Sequence, residues 1–229
     1  SAAGVLAKAD LLKKIAGTKT AVPSLAPSSA PSLAAVSQPD PTLHTIRLGA
    51  TDGFISIPGR DPLYSFGFVE AENVTDSVNK FIGDFKGQVQ APSPILEFKE
   101  GEDAFLVLTN LGLIARPDLD DAHTIHWHGF RNPTAIFDGV PEVSIAVPVG
   151  RSFPYYFNPE HPGTYMYHCH FEDTEHVQMG MIGIVFVRPA LDSTLPLGSD
   201  PDIIGFAYND DETGFHREYT MMLTEIDDT

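Results

Sequence analysis

Gly163-Thr164-Tyr165-Met166-Tyr167-His168-Cys169-His170 reads as a β-strand that delivers chemistry at its end. Successive side chains on a strand point to opposite faces, so His168 and His170 share one face and Cys169 takes the other. A second patch stands upstream: His123-Thr124-Ile125-His126-Trp127-His128-Gly129. There His126 and His128 share a face and His123 points away. If the two strands are neighbours in register, four imidazoles converge on one side, and His123 meets Cys169 on the other. One short piece of sheet would then carry two sites back to back.

The texture around these patches is that of an all-β protein. Short segments rich in β-branched and aromatic residues alternate with Gly, Pro, Asn and Asp. The candidate strands are Leu43–Leu48, Tyr64–Glu70, Ile95–Phe98, Ala104–Thr109, His123–Phe130, Ser152–Phe157, Gly163–His170 and Met181–Arg188. They predict a sandwich spanning 41–190 and closing near Pro189. Residues 1–40 read as a short helix over Ser1–Gly17 followed by a Pro-, Ala- and Ser-rich arm. Residues 191–229 read as an acidic linker, and Arg217–Leu223 within it as the first strand of a following domain.

The chain has 229 residues and a formal net charge of −17. That charge repels phosphates, which argues against nucleic-acid binding. The longest apolar run, Met181–Val187, is too short to span a bilayer. No leader is visible, which predicts either a cytoplasmic chain or one whose signal has been removed. With a single cysteine, no disulfide can form within the chain. Asn73-Val74-Thr75 fits a glycosylation acceptor pattern.

Seven of the nine histidines fall between 123 and 176. His44, His161 and His216 read as ordinary core residues. The others have metal-ligand spacing. His123, Cys169, His176 and Met181 supply two imidazoles, a thiolate and a thioether, the donor set of a mononuclear blue-copper centre. The remaining four imidazoles, His126, His128, His168 and His170, also suit copper. A structural zinc site competes, but it would leave several histidines unused.

These residues resemble the multicopper oxidases, the laccase-like blue-copper enzymes. His126-Trp-His128-Gly129 is similar to the family's first His-x-His-Gly motif, and Gly163 to His170 to the motif joining its copper sites. Asp138-Gly139-Val140-Pro141 resembles the loop between those motifs, and Arg217-Glu218-Tyr219 the opening strand of the next domain. The resemblance implies a cupredoxin-like Greek-key β-sandwich. It implies type 1 copper at His123, Cys169, His176 and Met181, a type 2 ligand at His126, and type 3 ligands at His128, His168 and His170. It also places Asp138 at a proton-delivery position, although an ordinary turn aspartate reads equally well there.

The implied activity is that of an oxidase. A small reducing substrate gives single electrons to type 1 copper, which pass via Cys169 to a trinuclear cluster that reduces dioxygen to water. Family members complete that cluster with four histidines from a second cupredoxin domain or subunit. The first domain here carries His-Cys-His, as in two-domain members that form homotrimers, and the implied location is periplasmic or secreted. Five residues instead of three separate His170 from His176, which implies an enlarged ligand loop. Glu172, Asp173 and Glu175 in that loop could attract a cationic reductant, or be simply a solvated acidic turn. A copper nitrite reductase and a single-domain electron carrier are the alternatives.

Overall fold

The structure, a computed structural model, describes residues 43–71, 78–129, 131–197 and 200–226. All of them belong to one unit, Pro39–Thr229. The helix and arm expected over 1–40, the Asn73-Val74-Thr75 pattern and Phe130 lie outside the described residues.

Two four-stranded sheets face each other. The strands are β1 (His44–Ile55), β2 (Leu63–Glu70), β3 (Leu96–Lys99), β4 (Ala104–Asn110), β5 (His126–His128), β6 (Ser152–Phe157), β7 (Gly163–His168) and β8 (Ile182–Arg188). One sheet has the order β2-β1-β4-β6 and the other β3-β8-β7-β5. Pairing is antiparallel except between β1 and β4 and between β3 and β8. The pleat sorts the residues. Leu96 and Phe98 of β3 are buried while Glu97 and Lys99 are exposed, and on β8 Gly183, Val185 and Val187 point inward.

The inner faces meet in one apolar core that includes Leu48, Phe66, Phe68, Leu106, Tyr155, Trp127, Tyr167 and Val185. Trp127 packs edge-on at 4.5 Å against Phe157 and at 5.9 Å against Phe98, joining the sheets beneath the histidines. Truncating so large a buried ring costs about 3–5 kcal/mol. The histidines flanking it therefore stand directly on the core.

β5 is much shorter than the strand expected over His123–Phe130. The N–H of Thr124 points at Cys169 Sγ at 3.5 Å, and that of Ile125 at the Tyr155 hydroxyl at 3.3 Å. Side chains take the donors that a ladder would need. β7 stops at His168: Cys169 N still reaches the Met181 carbonyl in register, but His170 N donates to Thr124 Oγ1.

Two short helices were not foreseen. Helix α1 (Val78–Phe85) presses Phe81 onto Val69, Ala71 and Leu111. Helix α2 (Asp173–Gln178) occupies the ligand loop. Each spans about two turns, too little for a 3.6-residue periodicity to stand out.

The acidic linker is more structured than expected. It forms a short hairpin of β9 (Gly205–Phe206) and β10 (Gly214–Phe215), with Phe206 buried. The strand expected over Arg217–Leu223 is unpaired among the described residues, with Tyr219, Met221 and Leu223 exposed. Arg188 grips Glu218 at 2.7 Å through both terminal nitrogens where this segment begins. His44, His161 and His216, expected in the core, are exposed. His44 meets Glu102 and His216 meets Asp200, so polar partners in water hold these rings.

Candidate metal centre

The register of β5 on β7 sets His126 directly opposite His168 and Trp127 opposite Tyr167. Trp127 and Tyr167 enter the core, so the histidines face outward. His128 Nε2 lies 2.9 Å from His168 Nε2. His126, His128 and His168 each offer a nitrogen within 4.8 Å of the others. The His170 ring stands 5.0 Å from that of His126 and 5.7 Å from that of His168. All four imidazoles thus form one group.

Backbone carbonyls orient these rings. His126 Nδ1 sits 2.6 Å from the Asp138 carbonyl, and His168 Nδ1 2.6 Å from the Cys169 carbonyl. With Nδ1 donating, each Nε2 is left as the basic nitrogen. Burial, reinforced by the neighbouring rings, pushes His168 down to about 4 and also lowers His128. Neutral imidazoles held at these distances are ready to ligate a cation.

Gly139 makes the His126 contact possible. It has φ +82°, and a Cβ there would come within 2.0 Å of the Ile125 carbonyl. Only glycine lets the loop come so close. The Asp138 carboxylate accepts from Asn132 and stands 3.8 Å from His126 Nδ1.

Across the strand, Cys169 Sγ lies 3.7 Å from His123 Nδ1 and 3.5 Å from His176 Nδ1. All three side chains are fully buried. Burial raises the Cys169 thiol to about 11 and lowers both imidazoles. His123 Nε2 and His176 Nε2 have no hydrogen-bond partner. The nitrogens that meet the sulfur are the two Nδ1 atoms, so the thiol and both Nδ1 atoms face one point. One thiol and two imidazole nitrogens around a common point match the soft, trigonal donor set that copper favours. Met181 is also fully buried, and its backbone bonds to both ligand segments, its N–H donating to His176 and its carbonyl accepting from Cys169.

The enlarged loop is a wound one. Helix α2 carries His176 and follows Glu172, the only described non-glycine residue at positive φ (48°). The loop is fastened to β2, where Ser65 Oγ donates to the Met179 carbonyl at 2.6 Å and the Phe66 N–H to the same oxygen at 3.1 Å. The Phe66 ring lies 4.6 Å from that of His176.

Three contributors escaped the sequence reading. Thr124 touches both sites, its N–H pointing at Cys169 Sγ and its hydroxyl accepting from His170 N. Asp121 approaches His176 Nε2 at 3.8 Å. Phe66 covers the ligand helix. Proximity to His123 could have flagged the first two, but nothing local marks Phe66.

Residues 76–192 match the family model described as multicopper oxidase. The chain belongs to the multicopper oxidase family. Its relatives include multicopper oxidase VdtB of Byssochlamys spectabilis, 33% identical over 143 residues that make up 60% of this chain and 19% of that protein. Copper resistance protein A of Pseudomonas syringae pv. tomato is 39% identical over 42% of this chain and 14% of its own length. Among solved structures, the blue copper oxidase from Nitrosomonas europaea aligns over 70% of this chain and 42% of its own, at 30% identity and a TM-score of 0.50. The chain spans about a fifth or less of the length of these curated relatives. The cupredoxin-like sandwich expected from the motifs is the fold found, and copper is the metal of this family. No helix among the described residues is long and apolar enough to cross a membrane.

Proposed function

We propose that this chain is the type 1 copper-bearing part of a copper-dependent oxidase that transfers electrons from a small reducing substrate to dioxygen. The observation that carries this reading is the meeting of Cys169 with His123 and His176 on one side of the strand, while its neighbours His168 and His170 gather with His126 and His128 on the other. Copper, when bound, would supply one-electron uptake at the thiolate and four-electron reduction of dioxygen to water at a trinuclear cluster.

The chain's own residues have separate tasks. His123, Cys169, His176 and Met181 would hold the type 1 ion, and His126, His128, His168 and His170 their half of the type 2 and type 3 cluster. The peptide units joining Cys169 to His168 and His170 are the shortest covalent link between the two sites. The core around Cys169 excludes water from the sulfur. Asp138, 3.8 Å from His126 Nδ1, would pass protons towards the cluster.

Four imidazoles half-fill such a cluster, so the reading requires a second cupredoxin domain or subunit, and a homotrimer would bring one to every site. A periplasmic or secreted setting follows from the same reading. The alternatives differ in acceptor. A nitrite reductase would have no use for a fourth imidazole, and an electron carrier no use for any of the quartet.

Metal analysis and an optical spectrum of the assembled protein, with oxygen-uptake and nitrite-reduction assays, test this. An intense copper–thiolate band with oxygen consumption supports the oxidase. Nitrite turnover without oxygen uptake, or one copper per chain with no turnover, would overturn it.

A further inference from the structure

We propose that Phe54 and Tyr64 form a stacking platform for a small aromatic reductant, and that Phe66 joins this platform to the type 1 site through His176. The proposal deepens the reading above and rests on it for the electron's destination.

Burial sets the problem. Cys169, His123 and His176 have no exposed surface, so no donor in solvent can touch a ligand ring. An electron must cross packed protein, and electronic coupling falls off least where groups are in van der Waals contact. One row of rings spans the gap. The Phe66 ring lies 4.6 Å from that of His176 and 5.4 Å from that of Tyr64, and the Tyr64 ring lies 5.8 Å from that of Phe54. Phe66 is buried, Tyr64 is half-buried and Phe54 is 62% exposed, so the row runs from the buried ligand out to solvent.

The pleat builds this row. β1 leaves β4 after Ala50 and continues against β2 alone, with Asp52 opposite Phe66 and Phe54 opposite Tyr64. Residues directly opposite share a face, and so do residues two apart on one strand. Phe66 belongs to the core, so all four side chains lie on the inward face of the ribbon. The ribbon thus carries the core's own aromatic face into water at Phe54.

Asp52 holds the row in place. Its fully buried carboxylate accepts from the N–H groups of Ile114 and Ala115 and, at 3.0 Å, from the Tyr64 hydroxyl. With its hydroxyl tethered, Tyr64 keeps its ring between Phe54 and Phe66.

The chemistry selects the guest. An exposed ring offers an aromatic molecule ring-to-ring contact beyond simple burial. The net charge of −17 disfavours an anionic guest and leaves a neutral phenol or an aromatic amine unopposed. A docked phenol gives up one electron and releases its hydroxyl proton to water. The electron tunnels to the type 1 ion, and no ring of the row is itself oxidised.

para-Fluorophenol, followed by its fluorine NMR signal on the metal-free full chain, reads docking without turnover. The wild type should shift that signal saturably. Phe54→Ser, at an exposed position, should weaken binding about three- to tenfold, the worth of one aromatic pair. Tyr219→Ser, at another exposed ring, should leave it unchanged. On the copper-loaded chain without oxygen, the same phenol should bleach the copper–thiolate band, and Phe54→Ser should slow that bleaching by the same factor at sub-saturating phenol. Bleaching by hexaammineruthenium(II), which cannot stack, should keep its rate. Equal weakening by the two serine variants would mean only a sticky surface and would overturn the proposal. Phenol bleaching indifferent to Phe54→Ser would overturn it too, as would an oligomer lost in that variant, which would assign the ring to a contact between copies. An intact copper–thiolate band without saturable fluorophenol binding would sink this inference alone. Absence of that band after copper loading would sink it together with the reading it rests on.

Discussion

At Asp138 and Gly139 two neighbouring residues do different work at the same imidazole. The Asp138 carbonyl fixes the tautomer of His126, while its carboxylate stands 3.8 Å off. Asp138→Asn keeps the carbonyl and removes only the charge. It should lower oxygen turnover roughly 10–100-fold with copper content unchanged, as steady-state oxygen uptake and metal analysis would register. Undiminished turnover would leave Asp138 as a turn residue. Gly139→Ala acts on geometry. A Cβ 2.0 Å from the Ile125 carbonyl at φ +82° must displace the loop, at a cost of about 2 kcal/mol or more. Urea denaturation should show that loss, and metal analysis a deficit at the imidazole quartet but not at Cys169.

The decisive element is the ligand loop, 171–181. Two more residues than the family usually places before His176 could have meant a slack segment, but they are wound into α2 and tied to β2. Gly180 sits in that junction at φ +118°, where a Cβ would approach Ser65 Oγ to 2.6 Å and the Phe66 carbonyl to 2.9 Å. Gly180→Ala should therefore lift the loop from β2. The metal-free chain should lose about 1–3 kcal/mol of stability, and the copper–thiolate band should broaden or weaken as His176 moves. Unchanged stability and an unchanged band would show the junction to be dispensable.

The whole molecule carries a pH dependence that follows from its buried imidazoles. His168 is held near 4, and burial also lowers His123 and His176. Their ordinary value is about 6.5, so between the two values the unfolded chain binds protons that the folded chain refuses. Stability is full above about 6.5 and falls as the pH drops towards 4, by up to about 3 kcal/mol from His168 alone. Urea midpoints of the metal-free protein should fall between pH 7.5 and 5, and His168→Gln should narrow the gap. A midpoint indifferent to pH would contradict this. Copper should raise stability overall and keep the sign of the trend, because bound imidazoles cannot take up the protons that the unfolded chain binds.

The alternation of His126-Trp-His128 and Tyr-His168-Cys169-His170 was enough to announce two faces with different chemistry. Period-two geometry is local, and it survives into any strand. The sandwich strands were legible for the same reason, within three residues at their ends except for β1, which runs seven residues past Leu48 to Ile55. The histidine density pointed to a metal, since no packing argument calls for seven in 54 residues, and the Cys169 donor set with the motif resemblance pointed to copper. What no window of sequence contains is who sits opposite whom. The pairing of His126 with His168, the lid of Phe66, the Thr124 bridge, the helical form of the ligand loop and the approach of Asp121 to His176 all join residues that folding alone brings together. They depend on inter-sheet packing and on side chains competing for backbone donors, long-range terms that a linear reading does not hold.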